Sequence, residues 1–181
     1  MSKDIKNNGH EFVDLGLPSG TLWSTCNVGA DKPTDYGLYF QWGDIQGYNA
    51  EQIGLGDGQK RFANDFSDYK WHLSGDDFDN NDNFTKYKTE GEVLELDDDA
   101  AHFHMGGSWH MPSSEQIQEL IENTTSNWIK LDGVNGRLFT SKNGKSIFIP
   151  AAGYAWNGSF DGVGSKADVW SSMLHASNVS Y

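Results

Sequence analysis

Gly106-Gly107-Ser108-Trp109-His110-Met111-Pro112-Ser113-Ser114-Glu115-Gln116 reads as a joint between two helices. Paired glycines stop a helix, because glycine enters the left-handed backbone of a helix C-terminus without a Cβ clash. Ser113 followed by Gln116 is a capping-box pattern, in which the two side chains satisfy orphan amides at the start of the next helix. Pro112 cannot continue the first helix. Ile117, Leu120 and Ile121 give a second helix, over 113–123, its apolar stripe. Upstream, Val93, Leu96, Ala100 and Phe103 fall at helical spacing and predict a helix over 93–104. Asp97, Asp98 and Asp99 would lie near its amino end, where the macrodipole favours negative charge. Trp109 and Pro112 are expected to be scaffold that holds the second helix in place.

Outward from the joint the signals are strands and loops. Residues 1–10 read as a polar lead-in, and residues 11–181 as one domain without repeat or linker. Phe12, Val13, Leu15 and Leu17 open an apolar segment cut by the Pro18-Ser19-Gly20 turn. Strands are predicted over 21–28, with Leu22, Ser24, Cys26 and Val28 on one face, and over 37–43. Residues 44–92 are polar and irregular, but Tyr48, Phe62, Phe66, Tyr69, Trp71, Phe78, Phe84 and Tyr87 recur through them. Disordered tracts are poor in rings, so this segment is expected to pack. Beyond the second helix, strands are predicted over 128–131, 136–141, 145–150 and 169–172. Asp132-Gly133 and Asn143-Gly144 supply the turns, the latter a strong hairpin signal.

Composition narrows the class. The 181 residues suffice for one domain with a core. Apolar residues make up only 36 % but aromatic ones 13 %, seven of them Trp, so large rings are expected to carry the core. A net charge of −13 argues against nucleic acid and against an anionic membrane surface. No run of the sequence reaches transmembrane length, and the first residues lack the apolar core of a signal peptide. Cys26 is the single cysteine, so no disulfide within the chain and no thiolate metal cluster can form. On its predicted strand face it reads as a small buried hydrophobe.

Several segments, in order, resemble the Fibrobacter succinogenes major paralogous domain family. They are residues Phe12 to Trp23 (Phe-Val-Asp-Leu-Gly-Leu-Pro-Ser-Gly-Thr-Leu-Trp), Asn27-Val28-Gly29-Ala30, Tyr39-Phe40-Gln41-Trp42-Gly43 and the joint from Gly106 to Ser113. Gly133-Val134-Asn135-Gly136, Ser146 to Tyr154 (Ser-Ile-Phe-Ile-Pro-Ala-Ala-Gly-Tyr) and Trp170-Ser171-Ser172 follow. The resemblance implies an α+β, C-type-lectin-like fold with two helices, small antiparallel sheets and long loops. The joint is also similar to that of formylglycine-generating-enzyme-like domains. The resemblance further implies a ligand-binding module on a phage virion or a Bacteroidetes cell surface, sometimes with loops diversified by retroelements. Family domains continue past the Trp-Ser-Ser segment with further strands. A chain ending at Tyr181 is therefore a shortened member, one completed from elsewhere, or a fragment, and an open sheet edge would favour a homo-oligomer or an assembly with other virion proteins.

Formylglycine generation needs reactive cysteines, and Cys26 has no partner. The calcium-dependent sugar motif of C-type lectins is missing: Pro150 lies between Ile149 and Ala151, and no Trp-Asn-Asp occurs. Residues 76–83 (Asp-Asp-Phe-Asp-Asn-Asn-Asp-Asn) alternate oxygen ligands as a calcium loop would. Asp82 stands where the sharp-turn glycine belongs and Lys88 where the bidentate glutamate belongs, which favours a solvated acidic loop. His102 and His104 would point apart on a helix, and with His110 they read as surface or packing residues rather than a zinc site. Glu115 and Glu119 read as solvated carboxylates. No phosphate loop, dinucleotide fingerprint or nucleophile elbow is present. The expectation is therefore no enzyme, no cofactor and no metal.

The segment from Tyr154 to Tyr181 is the best binding candidate. Trp156, Asn157, Ser159, Phe160, Asp161, His175, Asn178 and Tyr181 lie among glycines and small residues. Rings supply rigid contact area, and Ser, Asn and Gly supply adaptable hydrogen bonds, as in paratopes. An ordinary polar loop with one or two rings in the core is the competing reading. The expected partner is a protein or glycan on a cell surface, without nucleic acid and without membrane insertion. A virion-decorating structural domain and a degenerate formylglycine-generating-enzyme-like protein are the alternatives.

Overall fold

The computed structural model describes residues 6–52, 69–71, 84–156 and 159–174. Among them the chain is α+β, with two helices and three small antiparallel sheets. The first sheet has the order β1-β2-β3, with β1 at Lys6–Asn7, β2 at His10–Asp14 and β3 at Leu22–Ser24. A single 3-10 turn at Leu96–Asp98 leads into α1, Ala100–Met105, and the joint leads into α2, Ser114–Asn123. The second sheet is a meander of β4 (Thr124–Leu131), β5 (Val134–Ser141) and β6 (Ser146–Pro150). The third is the hairpin of β7, Tyr154–Trp156, and β8, Ser159–Asp161. Among the described residues no helix is long and apolar enough to cross a membrane.

The joint forms as the sequence predicts. Ser113 Oγ accepts from Gln116 N at 3.2 Å, and Gln116 Oε1 accepts from Ser113 N at 2.9 Å, which completes the capping box of α2. Gly106 ends α1 at φ 65° and ψ −167°, and Gly107 follows at φ 61°. What presses on the joint is the segment read as a polar lead-in. Asn8 and Gly9 have φ of 50° and 85°, the doubly left-handed turn that joins β1 to β2. Asn8 Nδ2 donates to Met105 O at 2.5 Å, Asn7 Nδ2 to Ser108 Oγ at 2.6 Å, and Trp109 Nε1 to Asn7 O at 2.9 Å. Residues 6–9 are thus part of the fold, clamped on the joint. A Cβ on Gly106 would overlap Asn8 Nδ2. Gly106→Ala is therefore expected to lower stability by about 1–3 kcal/mol, through backbone strain and the clash together. Thermal unfolding measures it.

The first helix is shorter than predicted and turned. The chain from Val93 to Leu94 pairs with 172–174 instead: Leu94 N donates to Ser172 O and Leu174 N to Glu92 O, both at 2.8 Å. Asp99 caps α1 by accepting from His102 N at 2.9 Å. The buried face is then Ala100, Ala101 and Met105, while Val93, Leu96 and Phe103 are 57 %, 56 % and 59 % exposed. The predicted strand over 21–28 reduces to β3, the one over 37–43 to a single bridge between Tyr39 and Tyr48, and 169–172 forms no regular strand. Cys26 lies beyond β3, half-buried rather than buried, with Thr25 Oγ1 at 3.5 Å from its sulfur.

Two cores result. One gathers Trp42, Tyr69, Phe84, Tyr87, Leu94, Ala100, Ala101, Met111 and Leu174. It draws Tyr69, Phe84 and Tyr87 from the irregular segment, with Trp71 packed against it, as the recurrence of rings implies. Phe62, Phe66 and Phe78 lie outside the described residues. The other core joins Leu15, Leu17, Leu120, Phe139 and Ile147 between the first sheet, α2 and the second sheet. Glu119 fastens α2 to the Pro18-Ser19-Gly20 turn, accepting from Ser19 N at 2.8 Å and Ser19 Oγ at 2.5 Å.

Candidate functional site

The candidate surface is the β7–β8 hairpin and the turn after it. Its base is fixed from three sides. Gly153 N donates to Lys166 O at 2.9 Å and Gly164 N to Ala151 O at 2.8 Å. Asn135 Nδ2 donates to Gly164 O at 2.9 Å, which ties the turn to β5. Tyr39 OH donates to Ala152 O at 2.9 Å, and its ring packs on Phe160 with centroids 4.9 Å apart. Burial, with Tyr36 nearby, pushes the Tyr39 phenol up to about 12. Gly153 and Gly162 are required here: both have left-handed φ, and a Cβ on Gly153 would meet the backbone of Asp161 to Val163.

The register divides the hairpin. Tyr154 pairs with Asp161, Ala155 with Phe160, and Trp156 with Ser159. Strand side chains alternate, so Tyr154, Ser159 and Asp161 share one face while Ala155 and Phe160 share the other. Phe160 faces Tyr39 and is half-buried; Ser159 and Asp161 are exposed. On the outer face Tyr154 OH donates to Asp161 Oδ2 at 2.7 Å, and Lys166 Nζ sits 5.3 Å from the Tyr154 ring centroid. That hydrogen bond, above all, raises the Tyr154 phenol and lowers the Asp161 carboxyl, with Lys166 adding to the latter. The face presents a ring, a carboxylate and an ammonium group within one hairpin. Asn157, His175, Asn178 and Tyr181 lie outside the described residues. Tyr154 and Lys166 were not singled out by sequence reasoning, since only the pairing register and the fold of the 162–166 turn bring them to Asp161.

The other sequence candidates are spread through the scaffold. His102 Nδ1 lies 3.1 Å from Trp109 O, His104 Nε2 2.9 Å from Ile45 O, and His110 Nδ1 2.9 Å from Met111 O. Each ring is thus engaged with a different carbonyl. Among the described residues no three His, Cys, Asp or Glu side chains gather as a metal-binding group. The acidic stretch 76–83 lies outside the described residues. An open depression of about 600 Å³ lies along α2, lined by Pro18, Ser114, Glu115, Gln118, Glu119, Glu122 and Asn123, with none of the hairpin residues.

No family model, no curated protein and no solved structure matches this chain.

Proposed function

We propose that this chain is a non-enzymatic binding module of C-type-lectin-like fold, displayed on a phage virion or a Bacteroidetes cell surface, that recognises a protein or glycan through the β7–β8 hairpin. The supporting observation is the division of that hairpin. Its inner face is anchored by Phe160 on Tyr39, and its outer face offers Tyr154, Ser159 and Asp161 beside Lys166. A rigid base beneath mixed ring and polar contacts suits recognition, because little side-chain freedom is lost on binding. The order of motifs that resembles the Fibrobacter succinogenes family supports the fold assignment.

The test is adhesion of the labelled chain to whole Bacteroidetes cells, before and after protease or periodate treatment of the cells. Asp161→Ala is expected to abolish adhesion while the thermal transition stays within the small change usual for surface positions, and Trp156→Ala is expected to abolish adhesion as well. Phe160→Ala is expected to lower stability, because it removes the anchor. Unaltered adhesion in both of the first two variants would overturn the site.

A further inference from the structure

β4 is an edge strand: its ladder with β5 covers all of Thr124–Leu131, and among the described residues no strand lies on its other side. The direction of its backbone groups follows from β5. Asn135 O accepts from Ala151 N at 2.8 Å and Ser141 N donates to Lys145 O at 2.9 Å, so the odd-numbered residues of β5 turn toward the β6 side. Alternation then turns the even residues of β5 toward β4, where they meet Leu131, Ile129, Asn127 and Thr125. Thr124, Ser126, Trp128 and Lys130 are left directing N–H and C=O groups away from the sheet. Among the described residues no turn or loop backbone is hydrogen-bonded to these N–H and C=O groups; Arg137 Nη1 donates to the side chain of Ser126, at 3.1 Å from Oγ, and leaves its backbone groups untouched. The strand carries no proline, no glycine and no carboxylate, in a chain of net charge −13. Edges of this kind recruit another strand.

We propose that β4 pairs, antiparallel and about a two-fold axis, with β4 of a second copy of this chain. The strand is complementary to itself in one register. With Asn127 on the axis, Thr124 meets Lys130 and Ser126 meets Trp128 in both directions, so every outward group is bonded. An axis at Ser126 leaves Lys130 without a strand partner, and an axis at Trp128 leaves Thr124 without one. A half-step sets outward groups against inward ones. The charge pattern agrees, because the only charges on the strand are the two Lys130 side chains, which stand at opposite ends, each facing a threonine. Trp128, 45 % exposed in the single chain, gains Ser126 and Thr124 of the copy as cross-strand neighbours. Two-fold closure uses the whole edge at once, so pairing stops at two. This surface is separate from the β7–β8 hairpin, and the inference does not depend on the proposed function.

Sedimentation equilibrium of the unaltered chain at rising concentration is expected to reach the mass of two chains; the mass of one chain throughout overturns the proposal. The register is read by cysteine cross-linking in a Cys26→Ser background. Asn127→Cys is expected to link to itself under mild oxidation, because a non-hydrogen-bonded pair sets Cα atoms about 4.5 Å apart, within disulfide span. Thr125→Cys should not, since its own copy lies about 13 Å along the strand. Equal linking at both positions, or linking at Thr125→Cys alone, overturns the register. Ser126→Pro removes an N–H that β5 does not use. It is expected to give the mass of one chain with an unchanged melting transition, and a surviving dimer counts against the pairing.

Discussion

Truncation of Phe84 to alanine is expected to destabilise the chain by about 3–5 kcal/mol, the upper range for a buried ring. Phe84 is fully buried, and its ring meets Tyr69 edge-on with centroids 5.8 Å apart. The cost stays high when neighbours cannot collapse into the void, and here they are pinned by their polar ends. Tyr69 OH donates to Trp42 O at 2.9 Å, Trp42 Nε1 to Ser171 O at 2.8 Å, and Trp71 Nε1 to Gly43 O at 3.0 Å. Each ring would break a hydrogen bond to fill the cavity. Urea unfolding is the measurement, with a shifted midpoint and an unchanged slope expected. Phe103→Ala is the control: the ring is 59 % exposed, and a change within about 0.5 kcal/mol is expected. Comparable losses at the two positions would contradict the division of the rings described above.

That pair of rings shows where the sequence could be read. A helical period placed Phe103 with Val93, Leu96 and Ala100 on one apolar face, yet three of the four are exposed. The period was outweighed by polar side chains. Asp99 bonds one backbone amide before the joint and one within it, accepting from His102 N at 2.9 Å and Met111 N at 2.8 Å, and this fixes the helix start seven residues late. Aspartate prefers such caps to helix interiors because its short side chain competes for nearby amides. The α2 cap was legible because its chemistry is local to four residues. Asn8-Gly9 carries the same hairpin signal as Asn143-Gly144, but it lies in a stretch without alternating apolar residues, so the sequence pattern there gives no strand. The Asn143-Gly144 hairpin itself closes differently. Only Gly144 has positive φ, and Gly144 N donates to Ser141 O at 3.0 Å, as in a longer loop built on a type I turn.

For the candidate surface, composition located the segment but not its faces. Phe160 and Asp161 are neighbours in sequence and share the candidate segment. One step along a strand sends them to opposite sides. Which side faces the scaffold is decided by Tyr39, more than a hundred residues earlier, and no local pattern reveals that contact. The same distance effect hides the cluster in which Lys70, Lys86 and Tyr87, from separate parts of the irregular segment, donate to Asp98.

Replacing Asp98 by alanine is the second large effect expected. Asp98 is 5 % exposed and accepts from Lys70 Nζ at 2.8 Å, Lys86 Nζ at 2.6 Å and Tyr87 OH at 2.8 Å. The two ammonium groups also lie over the Trp71 ring, at 4.3 and 5.3 Å from its centroid, so one carboxylate organises the packing of 69–71 on 84–98. Tyr87, held at φ 58°, depends on the same bond, since its hydroxyl also accepts from Glu95 N at 2.9 Å. Removal of one partner from a buried pair costs about 3–5 kcal/mol. Lys70 and Lys86 keep about a third of their surface in water and can turn outward, so the loss for Asp98→Ala is expected nearer 2–3 kcal/mol, most of it the orphaned Tyr87 hydroxyl and the lost tether. Asp98→Asn keeps an acceptor for Tyr87 and should fall between. Burial alone would raise the carboxyl, but the hydrogen bonds from Lys70, Lys86 and Tyr87 outweigh it and hold Asp98 below its ordinary value of 3.8. A lowered folded value means that the unfolded chain binds the proton first as pH falls. The stabilisation is therefore complete above the unfolded value and is lost as pH drops through it toward the folded one. The stability gap between the native chain and Asp98→Asn should stay constant from neutral pH down to about pH 5, and then close below pH 4. A gap that stays constant into acid would show that the carboxylate charge contributes nothing, and that packing alone holds the 69–71 segment in place.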